Sequence, residues 1–206
     1  HIGLIETFLT ERRLDDWSDP SSIPARAMKK YRKALLAAGG EFGEKMEQMV
    51  SGVSDKKVKA TGIQFYELVT ALTNCRDEKE RALLEAQARV IIDELKVMVE
   101  KGDFPVAVAI VDVSGSMQGI PMEVSVALGL LLANIMPGLW GGRLITFHET
   151  PTWHTLDTSS SLTEQIRSIR GAAWGGSTNF EASLRLIMDR AGEPRFMPEV
   201  MFCFTD

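Results

Sequence analysis

The spacing of apolar positions changes once along the chain, near residue 103. Before that point it is helical. Residues 24–38 read as a helix with Pro24 in its first turn and Gly39-Gly40 as its stop. Residues 42–50 form a shorter candidate, followed by the loop 51–54. Residues 63–73 carry Ile63, Phe65, Tyr66, Leu68, Val69 and Leu72, a spacing that fits helix better than strand. Residues 77–100 are rich in Glu, Ala, Leu and Lys and end at Gly102. Their apolar positions form a broad stripe that needs a surface to cover.

After residue 103 the grammar is different. Residues 106–111, Val-Ala-Val-Ala-Ile-Val, are a continuous apolar run, as in a strand buried on both faces of a parallel sheet. A polar loop follows over 112–119, then a helix over 121–136 halted by Pro137-Gly138. Residues 143–147 read as a second strand and 152–156 as a short edge strand beside Pro151. Helices are expected over 162–170 and 180–190, and another buried strand over 200–205. Strand–helix alternation predicts a doubly wound, mainly parallel α/β sheet over residues 104–206, preceded by an α-helical region over 1–103.

Composition adds limits to this picture. With 206 residues there is room for one large domain or two small ones, and 45% apolar with 25% charged residues is ordinary for a globular protein. The net charge of −5 argues against a generally polyanionic partner. The 10 lysines all lie at or before Lys101, and within the first 103 residues 17 basic residues face 18 acidic ones. That half is charge-dense and nearly neutral. No apolar run is long enough to span a bilayer, so no membrane partner is expected. Cys75 and Cys203 lack metal-site or disulfide spacing, and Cys203, inside an apolar run, reads as a buried thiol. These features suggest a reducing, cytoplasmic setting.

Candidate chemistry concentrates in Asp112-Val113-Ser114-Gly115-Ser116, at the C-terminal end of the first buried strand. Open α/β sheets bind ligands there. One carboxylate and two hydroxyls at alternate positions can converge on a hard cation, and Mg²⁺ suits such oxygen ligands while keeping several waters. Taken alone, the loop could equally cap the helix that follows.

Asp-x-Ser-x-Ser after an apolar strand resembles the metal-ion-dependent adhesion site of von Willebrand factor A domains. That family adds a threonine from a second loop and an aspartate from a third. Gly175-Gly176-Ser177-Thr178-Asn179 and Phe202-Cys203-Phe204-Thr205-Asp206 match those segments in order, which makes Thr178 and Asp206 the implied further ligands. Ser177 is an extra residue against the commoner Gly-Gly-Thr form. The resemblance implies a binding module, not an enzyme. It would hold Mg²⁺ or Mn²⁺ through Asp112, Ser114, Ser116 and Thr178, with Asp206 acting through water. A protein ligand with an acidic residue would complete the metal shell. An A domain has about six strands, so the resemblance also implies that the domain here is C-terminally incomplete.

Residues 109–117 and 120–130, Trp140-Gly141-Gly142 with the strand after it, and Ala27-Met28-Lys29-Lys30-Tyr31 are similar to an uncharacterised family of plants and giant viruses. Its members join a helical region to a C-terminal A-type domain. The layout also resembles the Ro ribonucleoprotein autoantigen, which suggests an alternative in which the helical region binds RNA. The cluster Arg26, Lys29, Lys30, Arg32 and Lys33 is the best basic patch for that role, although such a run is usually a solvated helix face. Hydrolysis by Ser114 or Ser116 with His148 or His154 as base is a weaker option, because no Gly-x-Ser-x-Gly elbow is present. Gly175 and Gly176 have no following lysine, unlike a phosphate-binding P-loop.

Overall fold

The computed structural model describes residues 2–11, 13–17, 19–147, 150–171 and 179–205. The chain divides into two compact units, residues 1–91 and 92–206. The division falls inside one long helix, not at the change in apolar spacing near 103.

The first unit is helical, with α1 (Ile2–Thr10), α2 (Ala25–Lys30), α3 (Arg32–Leu36), α4 (Gly40–Ser51), α5 (Phe65–Asn74) and the start of α6 (Glu78–Glu100). The single helix expected over 24–38 is broken in two at Tyr31, whose backbone leaves helical geometry at φ −102° and ψ 15°. The Arg32 guanidinium donates to the Lys29 carbonyl at 3.0 Å, an acceptor that an unbroken helix would give to a backbone amide. α1 was not expected from the sequence. Ile5, Met28, Leu35, Phe42, Met46 and Leu83 form the heart of one buried cluster. Gln87, fully buried on α6, donates to the carbonyls of Ala25 and Lys59 and so ties the start of α2 and the loop before α5 to the helix.

The second unit is mixed α/β. Its four-stranded sheet has the order β3-β2-β1-β4, with β1 Ala107–Asp112, β2 Arg143–Phe147, β3 Thr152–Thr155 and β4 Val200–Phe204. β1 runs parallel to both neighbours, and β3 is an antiparallel edge strand on β2. Helices α7 (Ile120–Ile135), α8 (Leu162–Arg170) and α9 (Phe180–Ala191) complete it. Every residue of β1 is buried, which accounts for its unbroken apolar run.

Gly129 of α7 lies over β1. A Cβ there would fall 2.4 Å from Cγ2 of Val111, so the helix approaches the strand closely because this position lacks a side chain. α8 begins with a capping box: Ser161 accepts from the Glu164 amide, and the Glu164 carboxylate accepts from the Ser161 amide. A buried pair links α7 to α8, with Asn134 donating to Gln165 at 2.7 Å.

β4 differs from the expectation of a fully buried strand. Among the described residues it pairs with β1 alone, so its side chains alternate between half-buried and exposed. Cys203 is accordingly exposed, which corrects the reading of a buried thiol. Among the described residues no helix is long and apolar enough to cross a membrane.

Candidate functional site

The candidate site grows from the C-terminal end of β1. β1 connects through α7 to β2 on one side, while β4 lies on the other. Loops leaving such a central strand and its far neighbour open a crevice between them, the usual ligand position in α/β sheets. Asp112 is the last residue of β1, and Thr205 directly follows β4.

Asp112 is 1% exposed. Its Oδ1 accepts from the Ser114 amide at 2.8 Å, and its Oδ2 accepts from the Thr205 hydroxyl at 2.6 Å. The Ser114 and Ser116 hydroxyls lie 3.0 Å apart. Ser114 is buried, whereas Gly115 and Ser116 are exposed, so the loop rises from the core to the surface within three residues. Val113 and Met117, each 2% exposed, pin its two ends.

Capping does not account for this loop. The short 3-10 turn Gly115–Met117 has Ser114 at its start, yet the Ser114 side chain makes no cap bond. α7 begins after Gly119, whose φ of 90° turns the chain into the helix and puts Pro121 in its first turn.

The electrostatics set the problem that the site solves. A buried carboxylate is costly unless it is compensated. Among the described residues the two donors to Asp112 are a backbone amide and a hydroxyl, both neutral. Among the described residues each carboxylate oxygen accepts one hydrogen bond, fewer than a carboxylate oxygen can take. Partial burial, and after it the charge of Asp112, push the Cys203 thiol above its ordinary pKa. Carboxylate and paired hydroxyls make an all-oxygen set, the donor type that small hard cations take. Among the described residues no three His, Cys, Asp or Glu side chains cluster as a metal site.

The structure therefore brings together Asp112, Ser114 and Ser116. Thr178 and Asp206 lie outside the described residues, as do Trp174, Gly175, Gly176, Ser177 and His148. Two contributors were not singled out from the sequence. Thr205 holds Oδ2 of Asp112, and Ser125, a buried hydroxyl on α7, donates to the Phe204 carbonyl at 3.1 Å and ties the end of β4 to the helix. A serine inside the apolar stretch 124–133 was the available signal for the second.

His154, on β3, bonds through Nε2 to the Ser168 hydroxyl at 3.1 Å, and burial pushes its pKa down. That bond gives it a partner on α8 instead of a serine of the 112–116 loop. In the helical unit the basic cluster is largely engaged. Lys29 pairs with Glu67 at 2.6 Å, Arg32 with Glu80 at 2.6 Å, Lys30 with Glu6 at 3.3 Å, and Arg26 donates to the Gly62 carbonyl. It does not present five free cations to a polyanion.

Residues 106–206 match the model of a family described as a domain of unknown function (DUF7788). The match begins one residue before β1 and takes in the whole candidate site. The full chain is also similar to Uncharacterized protein L728 of Acanthamoeba polyphaga mimivirus, with 34% identity over 222 residues. That alignment covers 100% of this chain and 38% of the viral protein, so the chain spans little more than a third of that relative's length. No solved structure matches the chain.

Proposed function

We propose that residues 104–206 form a von Willebrand factor A-type module that binds a protein ligand through a divalent cation, in the cytoplasm and without catalysing a reaction. One observation carries this reading: the buried Asp112 carboxylate, held by neutral donors, stands beside the Ser114–Ser116 hydroxyl pair at the C-terminal ends of β1 and β4. Asp112, Ser114 and Ser116 would hold Mg²⁺ or Mn²⁺, joined by Thr178 and Asp206 on the strength of the resemblance. The ion supplies a Lewis-acidic position for a carboxylate of the partner.

The chain's own residues do the positioning. Thr205 and the Ser114 amide orient the two carboxylate oxygens, and Met117 and Val113 fix the loop to the core. Such outer partners of a metal ligand carry roughly 10–100-fold in affinity. Calorimetric titration of the chain with Mg²⁺ and Mn²⁺ tests the reading. Saturable binding at one site is expected, lost in Asp112→Ala and weakened roughly 10–100-fold in Thr205→Val. Absence of binding, or binding unchanged in Asp112→Ala, sinks the proposal.

A further inference from the structure

A second constellation lies at the other end of the same sheet. Arg143 opens β2, four residues before Phe147, the register partner of Asp112. At about 3.3 Å per residue, Arg143 stands about 13 Å down the strand from the level of Asp112. Arg190 sits in the last turn of α9. Both side chains converge on the turn 138–141. Arg190 donates through Nε to the Leu139 carbonyl at 3.1 Å, and Arg143 donates to the same oxygen at 3.4 Å and to the Gly141 carbonyl at 2.9 Å. The Arg190 guanidinium also lies over the Trp153 ring, 5.2 Å from its centroid, and Trp153 packs against Trp140 at 6.1 Å.

Two guanidinium groups sharing one acceptor repel each other. Their described bonds go to neutral carbonyls, and among the described residues neither meets a carboxylate. Partial burial, and after it the charge of Arg143, push the Arg190 guanidinium below its ordinary pKa, in keeping with that geometry. Helix α9 explains part of this, since cations are favoured at a helix C-terminus. It does not explain the second arginine. Each guanidinium has five N–H donors in a planar fork, and the carbonyls engage few of them. The carbonyl bonds and the tryptophan face also hold the groups in place before any ligand arrives, which lowers the ordering cost of binding.

We propose that Arg143 and Arg190 form a binding site for a phosphate group, free or carried by a small phosphorylated molecule, at the end of the sheet opposite Asp112. Two guanidinium forks can share the oxygens of a dianion, and the anion relieves their mutual repulsion. Trp140 and Trp153 flank the site and make it visible to fluorescence.

Titrating the chain with inorganic phosphate at constant ionic strength, followed by tryptophan fluorescence and by broadening of the phosphorus-31 resonance, tests the assignment. Saturable binding is expected, with a dissociation constant on the order of 1 mM. Arg143→Gln and Arg190→Gln should each weaken it at least roughly tenfold, and Arg190→Lys should keep part of it. Asp112→Ala with chelator present should bind phosphate as the parent does, which separates this site from the metal reading. The phosphorus-31 measurement on the unmodified chain keeps the test valid if a glutamine variant fails to fold. Lack of saturation, an equal response to chloride, acetate binding as tightly as phosphate, or folded glutamine variants with undiminished affinity each overturns it.

Discussion

The two units treat their less exposed charges differently, although each also carries exposed ion pairs such as Arg13–Asp16 and Arg185–Glu181. In residues 1–91 acidic and basic side chains meet each other: Lys29 with Glu67, Arg32 with Glu80, Lys56 with Asp19. In the sheet unit the informative charges meet neutral groups. Asp112 is buried against an amide and a hydroxyl, and Arg143 and Arg190 rest on carbonyls. Paired charges hold a fold together and leave little for a ligand. Charges held in place by neutral dipoles remain available to one, which is why both proposals fall in the sheet unit although most of the chain's charge lies in the other.

The strongest way to break this contrast is to disturb the platform under Asp112. Gly129→Val places a branched side chain where a Cβ already falls 2.4 Å from Val111. Overpacking of this kind should cost about 3 kcal/mol, the upper part of its usual range. Urea unfolding followed by circular dichroism measures it. A variant as stable as the parent would mean that α7 can back away from β1 freely, and the loop at the end of β1 would then not be rigidly placed.

Most of the sheet unit was legible because buried strands and amphipathic helices write different apolar periods. β2 and α8 fall on the residues expected, and β1, α7 and α9 differ by a residue or so at their ends. What the sequence hid was context. β4 reads as a core strand from Val200-Met201-Phe202-Cys203-Phe204, but burial depends on neighbours that a local pattern does not contain. Tyr31 lies inside a good helical pattern, and the break there involves an Arg32 side chain competing for a backbone acceptor, which no periodicity registers. For the site, the spacing of Asp112, Ser114 and Ser116 was readable because one loop carries all three. Thr205 was quoted only as a neighbour of Asp206, since its role depends on β4 pairing in register with β1.

A more moderate effect is expected from the paired side of the contrast. Glu80 is 7% exposed, and Arg32 reaches it at 2.6 Å while also donating to the Lys29 carbonyl. Arg32→Ala leaves a buried carboxylate without its main partner and should cost about 1–2 kcal/mol. A double-mutant cycle with Glu80→Ala in chemical denaturation isolates the pair. Coupling near zero would place Arg32–Glu80 with ordinary surface pairs and blunt the distinction between the units.

The smallest effect concerns acid. Asp19 accepts from Lys56 and from both the amide and hydroxyl of Ser21, and these bonds hold its carboxyl well below the ordinary 3.8, at about 2. A carboxyl whose pKa is depressed by folding stabilises the fold fully above its unfolded value. That contribution fades as pH falls through the folded value. The helical unit should therefore lose a small increment of stability between about pH 4 and pH 2, where the unfolded chain takes up the proton first. The pair is partly open to solvent, so screening keeps the increment below that of Arg32–Glu80. Asp19→Asn should flatten this part of the pH profile and lower stability slightly at neutral pH, with added salt narrowing the difference between the two proteins. An identical acid profile in parent and variant would show that Asp19 acts as a turn-forming hydrogen-bond acceptor for Ser21 and not through its charge.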